Sequence, residues 1–125
     1  KLFEPKMRLQ NKHGVDFIID TLKSHDPETI TLCCLGPLTN IGSAFTKAPE
    51  ILSRVKEIVL MGGAYFEVGN ITPASEFNIF VDPEAAQIVL KSPVKKTILP
   101  LDVTHKVLVT KKRNQRFRKV QKRIK

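Results

Sequence analysis

Apolar positions in this chain recur first with helical spacing, then as short unbroken runs, and the two patterns alternate. Val15, Ile18, Ile19 and Leu22 fall at i, i+3, i+4 and i+7 with Asp16, Asp20 and Lys23 opposite, which predicts an amphipathic helix ended by Asp26-Pro27. Thr29 to Leu35 is β-branched and apolar throughout, the composition of a strand covered on both faces. Gly36-Pro37 turns the chain into a second helix, with Leu38, Ile41, Gly42 and Phe45 on one side, which breaks at Pro49. A short helix around Ile51 to Val55 leads to Ile58, Val59, Leu60 and Met61, a run short enough for a buried strand. After a long polar loop, Asp82-Pro83-Glu84 opens a helix to about Leu90, with Asp82 as N-cap and Pro83 at the first helical position. Thr97 to Leu101 reads as a last strand.

Helices alternating with strands imply crossover connections, and hence an α/β fold: a mostly parallel, open sheet flanked by helices. Ligands of such sheets bind beyond the carboxyl ends of the strands. Leu35-Gly36, Met61-Gly62 and Leu101-Asp102 therefore fall along one edge. The loop after Met61 is the richest of the three. Gly62 and Gly63 allow a sharp turn or a close approach to a ligand, and Asn70, Glu76 and Asn78 follow. Amide and carboxylate groups together both donate and accept hydrogen bonds, which suits a polyhydroxylated ligand such as a sugar. There is no internal repeat and no phosphate loop of the GxxxxGK type.

Charge changes the picture only at one end. Nine of the 21 Lys and Arg residues lie from Lys111 onward with no acid among them, leaving 12 cations against 12 anions in residues 1–110. The net charge of +9 thus belongs to the tail and gives no support to a nucleic-acid-binding core. At 125 residues the chain is short for a parallel sheet with both faces covered. Its two cysteines, Cys33 and Cys34, are adjacent, so on a strand they point to opposite faces and do not pair. Buried free thiols suit a reducing compartment, and the expected location is cytoplasmic. No apolar run reaches membrane-spanning length, and the start of the chain has no signal-peptide core.

The segments MGGAYFEVGN, EFNIFVDPEAA and PLDVTHK, with GPLTNIG upstream, resemble in order and spacing the central motifs of the inosine/uridine-preferring nucleoside hydrolases. The similarity runs from about His13 to about Thr110, less than half of a family domain. It implies a partial nucleoside hydrolase fold, a Rossmann-like open sheet, in residues 1–110, followed by a basic helical tail in residues 111–125. It also implies cleavage of the N-glycosidic bond of ribonucleosides to free base and ribose. Under the resemblance Asn70, Glu76 and Asn78 match ribose-contacting positions, Met61 lies where the strand end approaches the sugar, and Leu35 matches a position whose backbone carbonyl contacts a Ca²⁺ ion. In the complete enzyme that ion orients the attacking water and grips the ribose diol, and the enzyme can be a homo-oligomer. The family's aspartate-rich DxDPGxDD motif has no counterpart before His13, and the later catalytic histidine and metal-binding aspartate are also missing. No catalytic residue is therefore assigned, and the chain alone is expected to be inactive.

Each assigned residue has a structural alternative. Asn70 follows Gly69 and could be a left-handed turn residue, Glu76 a solvated loop charge, and Met61 a core side chain. Asn78, between Phe77 and Ile79, needs hydrogen-bond partners in either role. Asp102 and His105 read as capping or packed residues, His13 and His25 as surface residues flanking the first helix. In the tail, Phe117, Val120 and Ile124 would share a helix side otherwise filled with cations. That pattern fits a solvated helix packed on further hydrolase structure, or a nuclear-localisation or polyanion-binding patch. The competing overall reading is a truncated, non-catalytic riboside-binding or interaction protein with a basic tail.

Overall fold

The computed structural model describes residues 7–123, with side chains described as far as Arg118. Helix α1 (Gly14–Ser24) is followed by strand β1 (Ile30–Cys34), helix α2 (Thr39–Lys47), a 3₁₀ turn (Pro49–Arg54) and strand β2 (Val55–Met61). Helices α3 (Phe77–Phe80) and α4 (Pro83–Lys91), strand β3 (Lys96–Leu99), and helices α5 (Leu101–Thr104) and α6 (Lys111–Arg123) complete the order. The three strands form one parallel sheet in the order β1-β2-β3. The alternation of helix and strand is the one that the apolar spacing predicts. The expected strand over Thr97 to Leu101 is shorter than that, because Leu101 leaves the ladder as the first residue of α5.

Two right-handed crossovers that step the same way across a sheet place their helices on the same face. The core follows this rule: Val15, Ile19 and Leu22 of α1, Phe45 of α2 and Val89 of α4 bury against Cys34, Ile58 and Leu60. Gly42 lets α2 and α4 touch, since a methyl group there would lie 2.9 Å from the Cα of Ala85. Caps fix the helix ends. His13 Nδ1 accepts from the Val15 N–H at 3.3 Å, so this surface histidine is also the N-cap of α1. At the other end, the Arg54 guanidinium donates to the carbonyls of Leu22, Lys23 and His25, at 2.6, 3.2 and 2.5 Å, groups a helix terminus otherwise leaves unpaired. Asp82 caps α4 as its spacing predicts, accepting from the Ala85 N–H at 3.0 Å and from the Thr39 hydroxyl at 2.6 Å. Those two bonds, the Thr39 one first, hold its carboxyl below the ordinary aspartate range.

The opposite face of the sheet corrects the expectation of a strand covered on both sides. Thr31 and Cys33 are exposed on β1, and Thr97 on β3, while Val59, Met61 and Leu99 beside them are only half-buried. Among the described residues all the crossover helices lie on the other side, so none of them covers these positions. The expectation of two buried thiols fails for the same reason: Cys33 is exposed and only Cys34 is buried. Burial, and then the neighbouring Cys33, pushes the Cys34 thiol up. A thiolate is the reactive species, so iodoacetamide is expected to alkylate Cys33 at least about tenfold faster than Cys34 in the folded chain. Equal rates by peptide mass analysis would mean that the open face is covered in solution.

Among the described residues no helix is long and apolar enough to cross a membrane. The basic tail forms α6, begun by Thr110, whose hydroxyl accepts from the Arg113 N–H at 3.2 Å. Phe117 on it is exposed, while the Val120 side chain and Ile124, the rest of the expected apolar stripe, lie outside the described residues.

Candidate functional site

β2 delivers its chain at the carboxyl edge of the sheet, where Gly62 and Gly63 begin the loop that runs to α3. Gly63 has φ +80°, a conformation glycine adopts without strain. Gly62 is buried against Ile79, whose Cδ1 would lie 3.2 Å from any added Cβ. The loop then curls on itself between Gly69 and Ser75. The N–H groups of Asn70, Ile71 and Thr72 all point at the Ser75 carbonyl, at 3.1, 3.2 and 3.4 Å, and Gly69 N–H donates to the Pro73 carbonyl at 3.0 Å. The curl brings the end of the loop back beside the end of β2.

There the sequence-assigned side chains meet. Asn78 donates from Nδ2 to the Met61 carbonyl at 3.0 Å and to the Met61 sulfur at 3.2 Å. Glu76 is 2% exposed, and its carboxylate caps α3 by accepting the Asn78 N–H with both oxygens at 3.0 Å and the Ile79 N–H at 3.4 Å. The oxygen shared with Ile79 also accepts the Gly63 N–H at 3.0 Å. Asn70, exposed, accepts the Phe77 N–H on Oδ1 at 2.8 Å. It is not left-handed: Glu28 is the non-glycine residue with positive φ among those described. Nor is Glu76 a solvated charge. Met61 and Asn78 are bonded directly, Glu76 bonds the Asn78 N–H, and Asn70 joins them through Phe77, the residue between Glu76 and Asn78, around the junction of β2 and α3.

Their atoms are only partly committed by this frame. Asn70 Nδ2 and Asn78 Oδ1 have no partner among the described residues; Asn70 is exposed, and because no buried side-chain polar atom is left unsatisfied there, Asn78 Oδ1 also reaches the surface. Between them the two side chains offer a donor and an acceptor, as hydrogen bonding to a vicinal diol requires. The cluster borders the open sheet face through Met61 and is not enclosed. Grooves of about 470 and 510 Å³ open elsewhere, between α1, α2 and α4 and below the amino ends of β2 and β3, and none of the four residues lines them. Leu35, 81% exposed, sits just past β1 on the same edge, and its carbonyl is not taken up by the loop and cap hydrogen bonds of the described residues.

A hard cation such as Ca²⁺ takes about six to eight oxygen ligands. No cluster of three or more His, Cys, Asp or Glu suited to a metal exists among the described residues. The Leu35 carbonyl would be a single ligand, so these residues do not by themselves fit a Ca²⁺ site.

Sequence reasoning missed the third wall of this edge. Asp102 does not cap a helix: α5 has Pro100 at its N-cap, and the Asp102 carboxylate reaches back to the loop instead. It accepts the N–H groups of Tyr65, Phe66 and Glu67 at 2.9, 2.8 and 3.2 Å. The Tyr65 bond, with those of Phe66 and Glu67, lowers its carboxyl below the ordinary aspartate value of 3.8. A long-range acceptor of this kind leaves no local spacing signal. His105 caps the end of α5, and its Nδ1 lies 3.4 Å from the Glu67 carboxylate.

Comparison with known proteins places this edge in context. A family model described as inosine-uridine preferring nucleoside hydrolase matches residues 1–125. An uncharacterised protein of Schizosaccharomyces pombe is 54% identical over 121 residues, covering 96% of this chain and 39% of that protein. The inosine-uridine preferring nucleoside hydrolase of Leishmania major is 49% identical over 117 residues, covering 94% of this chain and 37% of its own. Among solved structures, the purine-preferring ribonucleoside hydrolase of Gardnerella vaginalis superimposes with a TM-score of 0.89 at 37% identity, over 97% of this chain and 38% of that one. The chain therefore spans less than two fifths of the length of these relatives.

Proposed function

Because this chain belongs to the inosine-uridine preferring nucleoside hydrolase family, we propose that it forms the ribose-gripping segment of an N-ribosyl hydrolase, with the sugar bound by Asn70, Glu76, Asn78 and Met61. Hydrolysis of an N-glycosidic bond develops positive charge on the ribosyl carbon. A catalyst must hold the sugar, activate a water and help the base leave. The residues of this chain serve the first task. Asn70 Nδ2 donates to, and Asn78 Oδ1 accepts from, sugar hydroxyls. The buried Glu76 carboxylate is negative beside the place where positive charge develops, and Met61 packs under the ring. The observation that supports this reading best is that four residues up to 17 positions apart come together at one strand end, with Asn78 bonded to Met61 at 3.0 Å, Glu76 to the Asn78 N–H and Asn70 to the Phe77 N–H between them.

The other two tasks fall to the remainder of a complete domain. Any Ca²⁺ would need nearly all its ligands from outside these residues, with the Leu35 carbonyl as this chain's contribution. The purified chain is accordingly expected to release no ribose from inosine or uridine above background, with or without Ca²⁺, in a reducing-sugar assay. In the same preparation, D-ribose should shift the side-chain amide signals of Asn70 and Asn78. Ca²⁺-dependent turnover by the chain alone would refute the division of tasks, and unchanged amide signals would refute the sugar site. Base preference is not proposed, since the relatives are named for both inosine-uridine and purine preference.

A further inference from the structure

From Tyr65 to Val68 the loop has almost no packing to hold it. Tyr65 is 80% exposed, Phe66 90% and Val68 68%, so burial of these side chains contributes little to the position of their backbone. Tyr65 and Phe66 touch only edge to face, ring centroids 4.5 Å apart. What holds the segment is a row of bonds to the corner between β3 and α5. Gly62 N–H donates to the Leu99 carbonyl at 3.2 Å, Leu101 N–H donates to the Gly63 carbonyl at 2.9 Å, and Asp102 accepts the N–H groups of Tyr65, Phe66 and Glu67. Gly63 is thereby held from both sides, its carbonyl by Leu101 and its N–H by Glu76.

We propose that Asp102 is a positioning residue for the sugar site: its carboxylate fixes the backbone of residues 65–67 and so sets where the curl carrying Asn70 meets Glu76. The inference rests on the reading of that curl as a ribose site. Asp102 lies just past the end of the ladder, and β3 pairs directly with β2, the strand that carries Met61. The clamp thus ties both ends of the apparatus to the same two strands. A carboxylate is suited to the task because its oxygens accept several N–H groups at once, whereas Asn offers one oxygen and turns a donor toward the other position.

The test uses the full chain and its Asp102→Ala and Asp102→Asn variants, followed by amide hydrogen exchange and D-ribose titration in NMR. In Asp102→Ala, exchange at Tyr65, Phe66 and Glu67 is expected to rise at least about tenfold and to spread to Asn70 and Ile71, while the amide of Asn78, capped by Glu76, keeps its protection. Ribose affinity should fall about tenfold. Asp102→Asn should be intermediate, because Oδ1 serves both Phe66 and Glu67 and only the Tyr65 bond uses Oδ2. Unchanged ribose affinity in Asp102→Ala, or faster exchange confined to residues 65–67, would overturn the proposal. A parent chain with no ribose response would overturn the sugar reading instead, and the spread of exchange would still decide whether Asp102 sets the curl.

Discussion

Glu76→Ala is expected to destabilise the full chain by about 3 kcal/mol and to weaken ribose binding by more than tenfold. The carboxylate is buried and serves three N–H groups from two segments, those of Asn78 and Ile79 in α3 and of Gly63 at the exit of β2. Truncation leaves those donors without an acceptor in a place water reaches poorly, and a buried donor without a partner costs about 1–3 kcal/mol. Glu76→Gln separates the two roles assigned to this side chain. One amide oxygen in the place of Oε2 can still accept from Gly63, Asn78 and Ile79, but the amide NH2 faces the Asn78 N–H in the place of Oε1, so the loss of stability should shrink only to about 1–2 kcal/mol. An amide oxygen accepts more weakly from a sugar hydroxyl than a carboxylate does, so ribose affinity should stay low. Urea denaturation followed by ribose titration of both variants checks this. A Gln variant that binds ribose as the parent does would leave Glu76 a structural cap and nothing more.

This double duty explains which parts of the molecule are legible in the sequence. Periodicity reports how a residue meets its own element, so α1, α2, α4 and the strands can be read from the spacing of Val15, Ile19, Leu22, Phe45 and Ile58. The four-residue helices α3 and α5 are too short to express a period, and both lie where the sequence suggests loop or strand. The apolar richness of β1 misleads in one respect. It marks a strand of a parallel sheet but says nothing about whether the second face is covered, and Cys33 stands exposed beside a buried Cys34. At the site, residue types and order point to Asn70, Glu76 and Asn78, but the spacing is silent on what holds them. Glu76 bonded to Gly63, Asp102 to the 65–67 turn, and Arg54 to the end of α1 each join segments 13 or more residues apart. Such bonds exist only once the strands have paired, which is why a linear reading finds the ligating groups before their supports.

Gly69→Ala should be nearly as damaging as loss of Glu76, although Gly69 has no side chain to offer a ligand. A Cβ at this position would lie far inside van der Waals contact with the Thr72 carbonyl oxygen and with the backbone of Ser75. Those atoms are the centre of the curl: the Ser75 carbonyl accepts three N–H groups, and Ser75 N–H donates to Thr72 Oγ1 at 2.9 Å. Backbone cannot swing aside as a side chain does, so the curl must open, at about 2 kcal/mol or more. Asn70 then loses its 2.8 Å bond to Phe77 N–H and its place beside Glu76. Gly36→Ala is the matched control, because nothing lies within 4 Å of a Cβ built there, and its effect should stay within about 0.5 kcal/mol. The informative comparison is between stability and binding in the Gly69 variant. If ribose affinity falls more than tenfold while the core of α1, α2 and β2 still unfolds cooperatively, the sugar contacts depend on the shape of the backbone between Gly69 and Ser75. Retained affinity would mean that Asn70 can find the ligand without that shape, and would remove it from the site.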